Sequence, residues 1–399
     1  MWIKDWLRHL GLPEKKKVSS RYKKNQEHIR QVKKRKQREW RARVKYRILQ
    51  RKRLMIITGS LLVLLLMITG GIGIVRAMGK TRLYEKADRK QPEMIKTAPE
   101  EVLQEEEETE WKEGWVKYQG NIYEYKSDIL TFLVMGIDKN KDVEKTEEGT
   151  DGGQADALFL VVVDPSDRTL KIVGINRNTM SDIAIYDENG DITATVKAQI
   201  AVQHGFGDGM EESCEYQKKA VENLFYGLPI HGYAAVNMKA ISTINDAVGG
   251  VEVTVLEDLT RKDKSLVKDA KVHLTGKTAF WYVQYRDTTV FGSADLRLAR
   301  QKQYLNGFVA AAKKAAKENI SVILDLYQAV MPQMVTDVSL DEVAYLAPLL
   351  VDYRFSDNSF YTMTGETVAG EQFEEFYVDE TALYELILEV FYEKVESME

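Results

Sequence analysis

The chain has 399 residues, more than one ordinary domain needs, and its net charge of −5 is unevenly divided. Residues 1–53 hold 21 Lys and Arg against 4 Asp and Glu, or +17, which leaves −22 for the remainder. The single cysteine, Cys214, excludes an internal disulfide and with it a small stapled scaffold; the chain is long enough to fold without staples.

Within the basic tail, 1–53, the stretch "KKKVSSRYKKNQEHIRQVKKRKQREWRARVKYR" fits a helix lying on anionic lipid, a nucleic-acid-binding arm, or a solvated topology signal. No helix-turn-helix spacing accompanies it, so anionic membrane lipids are the expected partner and no specific nucleic acid is expected. The next 22 residues, "LMIITGSLLVLLLMITGGIGIV" from Leu54 to Val75, carry no charge. At about 1.5 Å per residue they reach roughly 33 Å, a bilayer core, and predict one transmembrane helix. The run is too long, and preceded by too many residues, for a cleaved signal peptide. Dense Lys and Arg before it, against Arg76, Lys80 and Arg82 just after it, put the tail in the cytoplasm and the large remainder outside. An exported domain with one cysteine suits a bacterial cell membrane.

Residues 76–114 are polar and acidic, centred on "EEVLQEEEETE", and read as an extracellular stalk with too few apolar residues to bury a face. Residues 115–399 read as the folded extracellular domain, opened by a hairpin in "VKYQGNIYEY" around Gly120-Asn121. Strands are expected at 129–135, 157–163, 170–175, 233–236, 251–255 and 360–364. Helices are expected at 211–225, 239–247, 276–285, 294–317, 340–351 and 381–395, with Ser339 and Glu342 forming a capping box. Strands such as "ALFLVVV", apolar at every position, need a sheet covered on both faces, which predicts a layered α/β/α domain with a central mixed sheet. The stretch "YLNGFVAAA", 304–312, is expected to fill a core rather than line a tunnel.

"DPSDRT", 164–169, is short enough for a hairpin, so the second and third strands run antiparallel. If the polar link 136–156, holding "EEGTDGG", is a hairpin excursion too, three strands form a meander. One rim of that sheet then carries Asp138, Asp156 and Arg177, the last of these in "INRNTM". Two carboxylates and a guanidinium serve equally as a rim salt-bridge cluster or as a site for Mg²⁺ and a phosphorylated ligand, because Mg²⁺ takes carboxylates plus phosphate oxygens and Arg grips phosphate in a fork. "WYVQYRD" adds Arg286. "ADLRLARQKQYL" adds Arg297, Arg300 and Gln301, at i, i+3 and i+4 near a helix start where the dipole disfavours arginine and an anion offsets that cost.

The blocks "FLVMGID", "QADALFLVVVDP", "KIVGINRNT", "GLPIHGYAAVNM", "INDAVGGVEVTV", "HLTGKTAFWYVQYR" and "RLARQKQYL" resemble, in order and spacing, the LytR-CpsA-Psr family of bacterial cell-envelope proteins, over residues 130–316. The resemblance implies a membrane-anchored phosphotransferase. Such an enzyme passes a glycopolymer phosphate from a polyprenyl pyrophosphate carrier to a peptidoglycan hydroxyl, assisted by Mg²⁺. By position, Asp138 and Asp156 match metal-associated carboxylates. Arg177, Arg286, Arg300 and Gln301 match residues holding pyrophosphate, and Arg297 matches the arginine opening the last motif. Asp138 or Asp156 serves equally as base for the incoming hydroxyl. The chain departs from the pattern at Asn140, Gln154 and Gln284, where arginine is usual, and at Asn178, where aspartate is usual. This thins the positive charge unless Lys139 or Lys141 compensates, and leaves a non-catalytic or regulatory polymer-binding protein of the same fold as the alternative.

Overall fold

The computed structural model describes residues 20–86, 91–94, 112–146, 152–187, 189–287 and 289–395. The first 19 residues, the acidic centre of the expected stalk and residues 147–151 of the rim loop lie outside them. Contacts divide the chain into two units, 1–73 and 74–399.

In the first unit the chain is helical from the start of α1 (Ser20–Glu85), and the described side chains are almost all exposed, Leu54, Leu61 and Leu65 among them. The uncharged run 54–75 lies within α1, but its side chains at 56, 62–64, 66 and 68 are outside the described residues; among the described residues no helix is long and apolar enough to cross a membrane.

The second unit takes in the last turns of α1, and residues expected to open a stalk are packed there. Leu83 is fully buried, the Tyr84 hydroxyl donates to Asp128 O at 3.0 Å, and Lys86 Nζ meets the buried Glu342 carboxylate at 2.8 Å. Two apolar side chains and one matched lysine are enough to dock a helix end that is polar by composition. The hairpin Val116–Tyr118/Asn121–Tyr125 forms as expected, but its two-residue loop is Gln119-Gly120, both at positive φ (48° and 77°). That backbone matches the twist of the strands it joins, and the sequence shift from Gly120-Asn121 follows from pairing Tyr118 with Asn121.

The central sheet comprises β1 (Leu130–Ile137), β2 (Ala155–Asp164), β3 (Thr169–Ile175), β4 (Gly232–Asn237), β5 (Met334–Thr336) and β6 (Phe360–Thr362), in the order β5-β4-β1-β2-β3-β6. The meander β1-β2-β3 is antiparallel, while β1 with β4 and β3 with β6 are parallel, so the sheet is mixed. Side chains alternate across it as strand geometry requires. Leu133, Met135, Leu158, Leu160 and Val173 face one core, which takes in α2 (Glu211–Leu224) and, near the chain end, helix 380–391. Val134, Phe159 and Ile172 face the other side, covered in part by α3 (Ala240–Ala247) and by a long helix at 293–318. Between those two helices comes α4 (Gly276–Gln284), so the long one is α5 (Ser293–Glu318). Further on are α6 (Ser321–Val330), α7 (Leu340–Asp352), whose Ser339/Glu342 capping box is present, and α8 (Glu380–Phe391). The last helix ends at Phe391 rather than 395, because Tyr392–Lys394 adds a strand to the opening hairpin.

Candidate functional site

The meander gathers its charged ends at one rim, and a β-bulge aims the central one. Gly136 pairs with Ala157 and Ile137 with Ala155, which leaves Asp156 as the extra residue between them. Asp156 Oδ1 lies 2.5 Å from Arg177 Nη1, a close ion pair without hydrogen-bond geometry, and Oδ2 accepts from Arg297 Nη1 at 3.1 Å. Arg297 Nη2 also donates to Asp156 O at 3.2 Å. One carboxylate, 15% exposed, therefore holds two guanidiniums that are 13% and 5% exposed. Burial pulls both arginines below their ordinary pKa; Asp156 opposes that pull, and Arg286 adds repulsion to both.

The asparagines around Arg177 build the turn that presents it. Asn176 Oδ1 accepts the Asn178 N–H at 2.9 Å, and Asn176 O accepts the Thr179 N–H at 3.0 Å and its hydroxyl at 2.7 Å. The Asn176 amide is held in turn by Asp295 Oδ1 at 2.8 Å. Arg177 Nη2 donates to Gln154 Oε1 at 2.5 Å, while its Nε is buried with no hydrogen bond. A buried donor left unpaired costs about 1–3 kcal/mol, which an arriving anion would recover.

Asp138 is exposed, and its Oδ1 accepts the Gln154 N–H at 2.7 Å. Gly153 packs against it at φ +86°; a Cβ there would fall 3.0 Å from Asp138 Oδ1 and 2.9 Å from Ile137 Cγ2, so this position needs glycine for both space and backbone. Behind it the buried His204 ring donates from Nδ1 to Gly153 O at 3.0 Å, and burial lowers the pKa of that ring to about 4.

The other basic residues divide. Arg286 is half-buried and lines the same cleft as Arg177. Arg300, 1% exposed, turns away: its guanidinium donates to the carbonyls of Tyr282 and Tyr285 at the end of α4 and pairs with Glu257 at 2.7 Å. It closes a helix C-terminus and anchors the segment bearing Arg286. Gln301 donates to Val283 O at 3.2 Å. The anions that offset two arginines near the start of α5 are thus the protein's own Asp156 and Glu257. Lys141 is taken up by Glu144, while Gln154 serves as an acceptor for Arg177.

Two cavities border this cluster. One, about 260 Å³, lies between the sheet and α3, α4 and α5; apart from Asp156, Arg297, Gln284 and Gln301 at its polar end, it is lined by apolar groups such as Val134, Phe159 and Ile244. Tyr304, Leu305 and Phe308 of "YLNGFVAAA" also line it, so that stretch does more than fill a core: its large residues stand back from the small Gly136 and Ala157 and leave space. The other, about 900 Å³, is an open cleft with Gln154, Arg177 and Arg286 on its inner wall. Its outer wall comes from two hairpins that sequence patterning did not indicate, Met180–Tyr186/Ile192–Gln199 and Gly365–Ala369/Glu374–Val378.

The profile of the LytR_cpsA_psr family matches residues 81–387. The chain belongs to the LytR-CpsA-Psr family. Among similar proteins, a TagU of Bacillus cereus (strain AH820), named a polyisoprenyl-teichoic acid–peptidoglycan teichoic acid transferase, is 28% identical over 218 residues, 55% of this chain and 63% of that one. TagV of Bacillus subtilis (strain 168), named for the same transfer, is 28% identical over 255 residues, 62% of this chain and 59% of that one. This LytR-CpsA-Psr chain thus spans about three fifths of the length of the curated relatives it matches. The crystal structure of B. subtilis TagV superposes with a TM-score of 0.50 at 28% identity, covering 65% of this chain and 94% of that one. The mixed-sheet α/β architecture is therefore that of the family.

Proposed function

We propose that the protein is a membrane-anchored transferase that passes a glycopolymer phosphate from a polyprenyl pyrophosphate carrier to peptidoglycan. The observation that carries this reading is the Asp156–Arg177 ion pair, which puts one partner in the lining of each cavity. An apolar pocket ends at Asp156 and Arg297, and an open polar cleft begins at Arg177 and Arg286. A ligand with a hydrocarbon tail, a doubly charged head and a glycan matches that sequence of environments. In the transfer, an acceptor hydroxyl oxygen bonds the phosphorus nearer the glycan, the bond from that phosphorus to the bridging oxygen breaks, and polyprenyl phosphate leaves with the electron pair. Arg177, with its unpaired Nε, and Arg286 neutralise the charge that develops. Asp156 positions the arginines, which leaves Asp138, exposed at the rim, as the carboxylate open either to the hydroxyl proton or to a metal ion.

Mg²⁺ fits here through Asp138 together with the ligand's own phosphate oxygens, since both Asp156 oxygens face guanidiniums and, among the described residues, no three His, Cys, Asp or Glu gather. When bound it supplies further neutralisation of phosphate charge. The alternative, a polymer-binding protein without turnover, is favoured by Gln154, Gln284 and Asn178, which stand at the two cavities where the resemblance implies arginine, arginine and aspartate.

Arg177→Lys keeps the charge and loses the fork, so calorimetric binding of a polyprenyl pyrophosphate should weaken by roughly 1.5 to 3 kcal/mol. Asp138→Asn should remove the Mg²⁺-dependent part of that binding. Unchanged affinity in Arg177→Lys would take the arginine out of the site, and a wild type that binds yet never transfers polymer to peptidoglycan fragments would favour the binding module.

The anchor belongs to the same proposal. Exposed leucines along an uncharged helix need an apolar solvent, and the basic segment before them suits anionic lipid on the cytoplasmic side. Protease added outside intact protoplasts should remove the folded unit and spare a basic fragment ending near Val75; survival of the folded unit would reverse the orientation.

A further inference from the structure

The geometry points to a lipid-facing seat on the folded unit: the N-terminal end of α7, clamped to the end of α1, rests in the headgroup layer of the outer leaflet, with Met78 and Leu340 against lipid. The inference rests on the anchor reading of residues 54–75 and adds where the folded unit stands on that membrane.

The uncharged run does not end in a loop. Its last residues, Ile74 and Val75, already belong to the second unit and are exposed, and α1 continues from them to Glu85. Four residues beyond Val75 the helix meets α7 backbone to backbone: Gly79 is buried, and a Cβ there would overlap the Asp341 carbonyl. Glycine weakens a helix interior, so its place here answers the close approach. The next two turns complete the clamp. Arg82 Nη1 donates to Asp341 Oδ1 at 3.2 Å, Leu83 joins the core cluster of Leu130 and Leu346, and Lys86 Nζ donates to the Asp337 carbonyl and to the buried Glu342 carboxylate.

Length decides what lies against that clamp. Headgroups occupy about 5–7 Å on each side of the hydrocarbon core, and Gly79 stands about 6 Å along the helix from Val75. Residues flanking the contact therefore fall in the headgroup layer, and two of them are large, apolar and exposed: Met78, by 50%, and Leu340, by 45%. Before its first acid, Glu85, α1 brings Arg76, Lys80 and Arg82 to this level, which suits anionic headgroups. A stalk would lift the folded unit clear of the leaflet, whereas the docked helix end keeps it down. The rim lies at the other end of the sheet. Tyr84 and Leu83 meet Asp128 and Leu130 at the start of β1, while Asp138 follows its last residue, Ile137, about 23 Å along the strand. The seat thus leaves the arginine cluster at the end of β1 away from the leaflet.

The test uses the full chain in liposomes of phosphatidylglycerol and phosphatidylethanolamine, with a spin label on an introduced cysteine; the native Cys214 is fully buried. A label at Leu340→Cys should be relaxed more by oxygen, which concentrates in lipid, than by a water-soluble nickel chelate. A label at Phe373→Cys, on the rim side, should show the reverse. A polar seven-residue helical insert between Ala77 and Met78 lifts the clamp by about 10 Å on nearly the same helix face. It should turn the Leu340 label to the nickel chelate without changing the melting temperature. Gly79→Leu, which has no room at Asp341, should do the same at a lower melting temperature. The seat is overturned by a Leu340 label that prefers the nickel chelate without the insert, by labels at both positions that prefer oxygen, or by an insert that leaves the Leu340 label in lipid. Flotation separates the seat from the anchor. Liposomes that carry the protein while the Leu340 label stays in water overturn the seat and leave the anchor standing; protein that does not float with them overturns both.

Discussion

Asp156→Asn is expected to destabilise the folded unit by about 3–5 kcal/mol, the range seen when one partner of a buried charge cluster is removed. The bulge places this carboxylate between Arg177 and Arg297, at 2.5 and 3.1 Å, with both guanidiniums nearly out of solvent. Arginine stays charged under these conditions, so the variant cannot neutralise its way out. It must instead hold two like charges beside a half-buried third, Arg286. Urea unfolding of the full chain in micelles should therefore show a lower midpoint at an unchanged slope. Inorganic pyrophosphate should restore more stability to the variant than to wild type, because the anion then replaces the missing counter-charge. A loss below about 1 kcal/mol, the scale of an exposed ion pair, would show that Asp156 does not hold the cluster.

The position of Asp156 at the rim was legible from the strand ends, but its burial was not. A strand that is apolar at every position, a six-residue "DPSDRT" connection and a polar link together specify the meander, and with it the company of Asp138, Asp156 and Arg177. A one-residue bulge leaves no compositional mark, so nothing in "QADALF" says that Asp156 leaves the ladder and turns between two guanidiniums. The same holds for Arg300: its spacing from Arg297 is that of a neighbour on one helix face, yet its i+3 position is enough to carry it to the α4 carbonyls. The strand Ile192–Gln199 does alternate, as "ITATVKAQ", but its apolar members are small or exposed, so the alternation marks no buried face and does not by itself announce a wall of the cleft. In the hairpin Gly365–Val378, "EQFEEF" sets acidic residues between an exposed Phe373 and a core Phe376, so composition does not show which of the two rings is buried. Periodicity marked 304–312 as a buried stripe; whether such a stripe meets its neighbours or stands off them depends on side-chain size across the gap, which only the packed structure gives.

Acid should unfold the protein in a window set by two buried histidines. Burial is the main cause that lowers both His204 and His231 to about 4, with Lys218 adding to the effect at His231. The hydrogen bonds agree with neutral rings: His231 Nδ1 accepts the Thr131 N–H at 3.2 Å, and His204 Nδ1 donates to Gly153 O, leaving Nε2 3.9 Å from the Cys214 sulfur. Because the unfolded chain binds these protons near pH 6.5, it takes up more protons than the native state between there and pH 4. The contribution of each ring is thus fully present above about pH 6.5 and is lost as pH falls toward the folded value, on the order of 2–4 kcal/mol per histidine. Two such losses rival the whole stability of a typical domain. Urea midpoints measured from pH 7.5 to 4.5 should fall steeply below 6.5, and His231→Asn, which keeps an acceptor for Thr131 without a titrating ring, should flatten that fall. Carboxylates titrate lower and should supply the same background in both proteins, so an identical slope in the variant between pH 5 and 6.5 would remove His231 from the account. His204→Gln tests the second ring: the bond from Nδ1–H to Gly153 O is kept in the imidazolium, so the cost of protonation is the burial of the new charge, with the added proton on Nε2 beside Cys214.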